Sequence, residues 1–200
     1  MRGKPVRIAV IGQGKIGATL GAAFAAGGHD VTFGSRHPED DPVGEGSAKV
    51  AGVAEALDNA EVVLFALPAV GVEELLAEHA KAIDGKLVID ATNRITAPVA
   101  NAAAAIAEAA PGARYVRAFN TLGWENFADP VFDGVAGDLF YSAARADQPL
   151  VEELISAVGL RPAYLGENQQ EVVDGVLRLW FALVQAGGGN RRIAFRVLRK

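Results

Sequence analysis

The 200-residue chain contains no cysteine. Disulfides, thiolate nucleophiles and Cys-ligated metals are therefore excluded. Histidine is nearly as scarce, with only His29, His37 and His79. Between Lys86 and Lys200 there is neither lysine nor histidine, so the second half lacks two of the usual proton carriers. None of the three tyrosines is followed four residues later by lysine, which removes another common acid–base pair. No His/Asp/Glu cluster has metal-ligand spacing. Long apolar runs are missing too. The run after Met-Arg-Gly-Lys-Pro is about five residues, too short for a leader or a membrane span, so a cytoplasmic protein with no membrane partner is expected. The net charge is -5, and no basic run is interleaved with aromatics. The one basic cluster, Arg191, Arg192, Arg196, Arg199 and Lys200, reads as a solvated face, and nucleic acid is not an expected partner.

What is present is apolar: half of the residues, enough for a sizeable core. Short apolar runs alternate with helical periodicity through residue 118. Strands are expected at 6–11, 30–33, 48–50, 61–67, 87–90 and 114–118. Helices are expected at 15–26, 53–59, 70–83 and 97–110. Such alternation predicts an α/β fold: a Rossmann-type, doubly wound parallel sheet with right-handed crossovers. The texture changes at 119–137, which is rich in Gly, Asn, Asp, Pro and aromatics and reads as a shaped loop. A strand (139–142), helix (149–158) and strand (162–165) follow, then a long helix at 169–185 and a closing IAFRVL with strand-like alternation. Residues 1–118 are thus expected to form a nucleotide-binding domain, and 119–200 a small C-terminal α/β lobe. The long helix is apolar on more than one face, which suits either a core element or a homodimer interface.

Gly12-Gln13-Gly14-Lys15-Ile16-Gly17 matches G-x-G-x-x-G between a buried strand and a helix. Gly12 permits the tight turn, Gly14 lets the backbone approach a pyrophosphate, and Gly17 lets helix and strand pack closely. About twenty residues on, where NAD enzymes place an acid for the ribose hydroxyls, this chain has Ser35, Arg36 and His37. A carboxylate there would repel a 2′-phosphate. Arg36 can grip one bidentately, Ser35 can donate to it, and His37 adds charge when protonated. NADP is the expected cofactor. Glu125 and Asp129 remain the candidate proton donors. A nicotinamide site without an evident acid–base group suits hydride exchange with a second redox cofactor, a small-molecule acceptor.

GQGKIG, FGSR, LFALP ending at Pro68, GLRP at 159–162 and the closing IAFRVL together resemble the F420H2:NADP+ oxidoreductases over nearly the whole chain. That resemblance implies a Rossmann domain with a small C-terminal lobe and a deazaflavin, coenzyme F420, in the cleft between them. Residues 12–17, Ser35 and Arg36 would hold NADP. Leu67, Pro68 and Ala118 would line its nicotinamide end, and Asn93, where the chain departs from the family's apolar-proline segment, is read as a further cofactor contact. Asn120 and Thr121 would orient the acceptor, with Trp124 or Phe195 as an apolar wall. The chain departs from the family's Ala-Leu-His-Thr at Ala118-Phe119-Asn120-Thr121, so Asn120 stands where that family has histidine. DATN and AFNTLG also resemble the cytosolic reductase domain of transmembrane metalloreductases. Two other functions fit the residues: NADPH-dependent reduction of a small imine or carbonyl, and a non-enzymatic NADP-binding sensor.

Overall fold

The computed structural model describes residues 4–39 and 48–200; residues 1–3, part of the segment read above for a leader, lie outside it. The chain runs β1 (Arg7–Ile11), α1 (Lys15–Ala26), β2 (Asp30–Ser35), β3 (Lys49–Gly52), α2 (Val53–Asn59), β4 (Val62–Phe65), α3 (Val70–Ile83), β5 (Leu87–Asp90), α4 (Ala103–Ala109) and β6 (Arg114–Arg117). These six strands form one sheet in the order β3-β2-β1-β4-β5-β6, with every neighbouring pair parallel. The central strands β1, β4 and β5 are short, mainly apolar runs without polar alternation because both faces are covered. Ile8 and Val10 point into one apolar layer with Leu20 and Phe24 of α1. Ala9 and Ile11 point into the other with Leu57, Val72 and Leu76 of α2 and α3. The expected doubly wound fold is present.

The second half continues with α5 (Trp124–Ala128), β7 (Val131–Phe132), β8 (Val135–Ala136), β9 (Asp138–Tyr141), α6 (Gln148–Ala157), β10 (Arg161–Tyr164) and α7 (Gln170–Ala186). β9 and β10 pair in parallel across α6, a small α/β unit. Its apolar side chains, among them Leu139, Tyr141 and Leu154, join the layer that covers α1, as does Trp180 of α7. Main-chain bonds between Arg117 and Ser142 in both directions (2.9 and 3.0 Å) fasten β6 to the residue after β9.

Three local expectations change. The helix expected from 97 begins at Ala103, since Pro98 disfavours helical backbone at the residue before it and the Ala102 amide donates to Asp90 Oδ2 (2.8 Å). The loop at 119–137 holds α5 and the β7–β8 hairpin. Asp133 and Gly134 form the two-residue turn of this hairpin with φ of 48° and 81°, the left-handed pair favoured in tight hairpins. The closing IAFRVL segment makes a single antiparallel bridge, Phe195 to Asp138, rather than a strand. Side chains hold it instead: Arg191 on Glu125, Arg192 on Asp129, and Arg196 on the Ala136 carbonyl. In α7, Val173, Asp174, Leu177, Trp180 and Val184 face inward, while Val172, Leu179 and Leu183 are exposed.

His29, in the turn before β2, is buried, and its Nδ1 has no hydrogen-bond partner among the described residues. Burial holds this imidazole below its ordinary pKa, with the Glu153 charge opposing. The folded protein therefore binds the proton less readily than the unfolded chain, and stability present at neutral pH falls as pH drops through the histidine range. A His29→Phe variant should lose less Tm than wild type between about pH 7.5 and 5.5. Equal losses in the two proteins would show that His29 is not the group responsible.

Candidate functional site

The parallel strands deliver their carboxyl ends to one edge of the sheet. The order reverses between β1 and β4, which opens a crevice there. Gly12 leaves β1 with φ of 108°, and a Cβ on it would lie 2.6 Å from the Ala66 carbonyl oxygen. A Cβ on Gly17 would lie 1.9 Å from the Gly12 oxygen, so the turn closes only with glycine at both positions. Gly14 differs: nothing lies within 4 Å of where its Cβ would be. It precedes α1 with no side-chain cap, so first-turn amides of α1 are left to meet an anion beside open space. Lys15 and Ile16 begin the helix, and the Lys15 ammonium rests 4.6 Å above the Trp124 ring. The residues present fit a pyrophosphate.

At the end of β2, Ser35 is buried and its Oγ accepts the His37 amide (2.9 Å), forming a turn that leaves Arg36 and His37 exposed. No acid occupies the strand end. A 2′-phosphate bound at this strand end would find the exposed Arg36 guanidinium rather than a carboxylate.

On the other side of the crevice, Leu67 and Pro68 leave β4, and Asn93 follows β5. A pocket of about 480 Å³ opens there, lined by Ala69, Val70, Glu73, Asn93, Arg94, Ile95, Thr96 and Ala97. Its two ionisable groups pair with each other, Arg94 Nη2 to Glu73 Oε1 at 2.7 Å. Ala118 and Phe119 are fully buried after β6. Phe119 has φ of 59°, a left-handed conformation strained for a bulky residue; its ring is wedged edge-on between Phe24 and Phe127 at 5.7 and 6.1 Å. This bend turns Asn120 and Thr121 inward. Both are buried, and the Thr121 hydroxyl has no partner among the described residues.

Sequence reasoning missed the cluster beneath this edge. Arg117, the last residue of β6, is fully buried. It donates to Asp174 Oδ1 from Nε (2.8 Å), to the Asp90 and Thr92 carbonyls from Nη1 (3.0 and 2.6 Å), and to Asn93 Oδ1 from Nη2 (3.0 Å). Asn93 Nδ2 donates in turn to the Asn120 carbonyl (3.1 Å). The hydrogen-bond network orients the Asn120 side-chain oxygen toward Arg117, 3.0 Å from Nη2 and 3.3 Å from Nε. Asn93 and Asn120 thus share one buried guanidinium. Phe195 does not join them. Its ring packs on Phe140 (6.1 Å) within the lobe, and it does not line the pocket. A signal existed: Asp90, Arg117 and Asp174 are charges inside otherwise apolar or inward-facing segments, where an unpaired charge is not tolerated.

The candidate proton donors are otherwise engaged. Burial raises the Glu125 carboxyl, but the hydrogen bond from Arg191 Nε (2.7 Å), a main-chain bond and the charges of Arg191 and Lys15 outweigh it and leave it below the usual range. Asp129 is exposed and paired with Arg192 at 2.6 Å. Among the described residues, no group of His, Asp and Glu could hold a metal ion.

Residues 7–94 match the family described as NADP oxidoreductase, coenzyme F420-dependent. The chain belongs to that family through its nucleotide-binding half. It is similar to a candidate F420-dependent NADP-reductase from Arthrobacter sp. FB24, with a TM-score of 0.84 and 24% identity over 97% of this chain and 100% of that one. It is also similar to a hypothetical protein, SMa0349, from Sinorhizobium meliloti, with a TM-score of 0.67 and 31% identity over 81% and 85%. A reductive aminase from Aspergillus terreus, solved with NADPH and ethyl levulinate, shares the fold at a TM-score of 0.71 and 22% identity; 93% of this chain matches 63% of that longer one. No curated protein matches. The family is one of NADP-dependent oxidoreductases, and this chain has the nucleotide-binding geometry that such chemistry needs.

The two glycines make separable predictions. Gly14→Ala should leave Tm nearly unchanged, because its backbone (φ −65°) suits alanine and no atom is crowded. It should nevertheless weaken NADPH binding roughly tenfold by blocking the approach of the pyrophosphate. Gly17→Ala should instead destabilise the fold by about 1–3 kcal/mol. Calorimetric binding and thermal melts check the pair, and intact NADPH affinity in Gly14→Ala would place the cofactor elsewhere.

Proposed function

We propose that this protein transfers hydride between NADPH and a deazaflavin or flavin-like acceptor, with coenzyme F420 as the first candidate. The observation that carries the reading is the combination of Ser35 and Arg36 in place of an acid at the end of β2 and a neighbouring pocket whose two ionisable lining groups, Glu73 and Arg94, pair with each other. When bound, the nicotinamide supplies the hydride chemistry. The chain's own part is to align two rings and exclude side reactions. Gly12 to Gly17 would hold the pyrophosphate and Ser35, Arg36 and His37 the 2′-phosphate. Leu67, Pro68, Asn93 and Ala118 would border the nicotinamide end. Ala69, Val70 and Ile95 would offer the acceptor an apolar wall, with Arg94 and Asn93 as polar contacts. Asn120 and Thr121 support this edge from beneath, and Trp124 covers Lys15 beside the glycine turn. Reduction of a small imine or carbonyl is the second reading, supported by the fold shared with the NADPH-bound reductive aminase. The proton would then come from water, because Glu125 is held as a carboxylate.

We propose further that the exposed apolar stripe of α7, Val172, Leu179 and Leu183, pairs with the same helix of a second copy. Gly175, which has open space at its Cβ position, would receive a side chain across the two-fold axis. Light scattering should show a dimer for wild type and a monomer for Leu179→Glu. A wild-type monomer would remove this interface.

Two measurements address the activity. Mixing the protein with NADPH and F420 should bleach the deazaflavin absorbance; no change where NADPH demonstrably binds would exclude F420, and turnover on an imine panel would then favour the second reading. Arg36→Ala should lose about 1.5–3 kcal/mol of its preference for NADPH over NADH. A preference that survives this change would assign the 2′-phosphate to another group.

A further inference from the structure

The charges buried at the ends of β5 and β6 do not balance. Arg117 supplies one positive charge at 0% exposure, while Asp90 and Asp174 supply two carboxylates at 0% and 2%. Each carboxylate is met by donors. Asp90 accepts from the Thr92 amide (2.9 Å), the Thr92 hydroxyl (2.6 Å), the Ala102 amide (2.8 Å) and the Tyr115 hydroxyl (2.8 Å). Burial and the adjacent Asp90 push the Tyr115 phenol well above its ordinary range, so it adds a hydrogen bond and no charge. Asp174 accepts from Arg117 on Oδ1 and from Asn101 Nδ2 on Oδ2 (2.7 Å). Arg178, one turn further along α7, directs its guanidinium to the Pro98 carbonyl at the exposed surface, where solvent screens it.

The position of this surplus follows from the site. This inference rests on the NADP reading above. With the 2′-phosphate at Arg36 beyond β2 and the pyrophosphate at Gly14 beyond β1, the nicotinamide half can extend only over the ends of β4, β5 and β6. Asn93 connects the two: it lines the pocket there and accepts from Arg117. We propose that Asp174 is a positioning residue that acts through Arg117 on Asn93, and that the surplus carboxylate charge biases the site toward the oxidised, cationic nicotinamide. Departure of hydride breaks a C–H bond and sends its electron pair, with the proton, to the deazaflavin-class or imine acceptor. The acceptor is reduced by two electrons, and the ring left behind carries one more positive charge. A buried negative charge nearby lowers the energy of that product and of the charge developing toward it.

Binding of the two redox forms tests this without turnover. Asp174→Asn keeps the volume and an oxygen for Arg117 but removes the surplus charge. Calorimetric titrations should show NADP+ weakened about three- to tenfold more than NADPH. Asn93→Asp, which still offers Arg117 an oxygen, should shift the ratio the other way and decides the matter if Asp174→Asn does not fold. Asp147→Asn removes a buried carboxylate that pairs with Arg114, at the opposite end of β6, and should leave the ratio unmoved. A purely structural role for Asp174 would weaken both forms alike. An unmoved ratio in Asp174→Asn, or an equal shift in Asp147→Asn, overturns the proposal. A wild-type protein that binds neither form overturns the NADP reading and this proposal with it.

Discussion

Arg117 is the constraint on which the functional edge depends. A guanidinium removed from water is tolerated only where its donors are met, and here carbonyls, a carboxylate and two amides meet them. Those acceptors come from the end of β5, the segment after β6, and α7 of the lobe. One side chain thus ties α7 of the lobe to the ends of β5 and β6, which the sheet ladder joins to each other but not to α7. Loss of one partner from such a pair is expected to cost about 3–5 kcal/mol, because the remaining charge stays buried. The lobe is therefore held at a set position against the sheet, and Asn93 is presented with one conformation.

The cofactor side is built by different physics. Close backbone approach at Gly12 and Gly17, an uncapped helix start and the buried Ser35 turn require no charge network. These features are local and depend only on strand–turn–helix geometry. The acceptor side depends on long-range contacts: Asn101 with Asp174, Arg117 with Asn93, and Phe119 between Phe24 and Phe127. The division matches the chemistry, since phosphate recognition is common to many sites whereas acceptor choice is particular to each.

Legibility in the sequence follows the same division. Helix α1 at Lys15–Ala26 and helix α3 at Val70–Ile83 stand where the periodicity places them, because their apolar stripes are continuous and their ends are marked by glycine and proline. The Asp133-Gly134 hairpin turn was also written in the sequence, but two-residue strands are too short for alternation to reveal. Arg117 and Asp174 gave no local sign of their pairing, 57 residues apart. Asn120 was expected to orient an acceptor, and its contact with Arg117, set by the left-handed bend at Phe119, had no sign in the sequence.

By itself the sequence determined the doubly wound fold, the glycine turn and the replacement of an acid by Ser35 and Arg36. These follow from hydrophobic periodicity and from motifs whose meaning is set within some thirty residues. Only the tertiary structure decided that Asn93 and Asn120 share one buried guanidinium, that Glu125 is committed to Arg191, and that Phe195 stays within the lobe. The physical reason is that burial of a charge is decided by every segment packed around it, and α7 reaches Arg117 only once both halves have folded together.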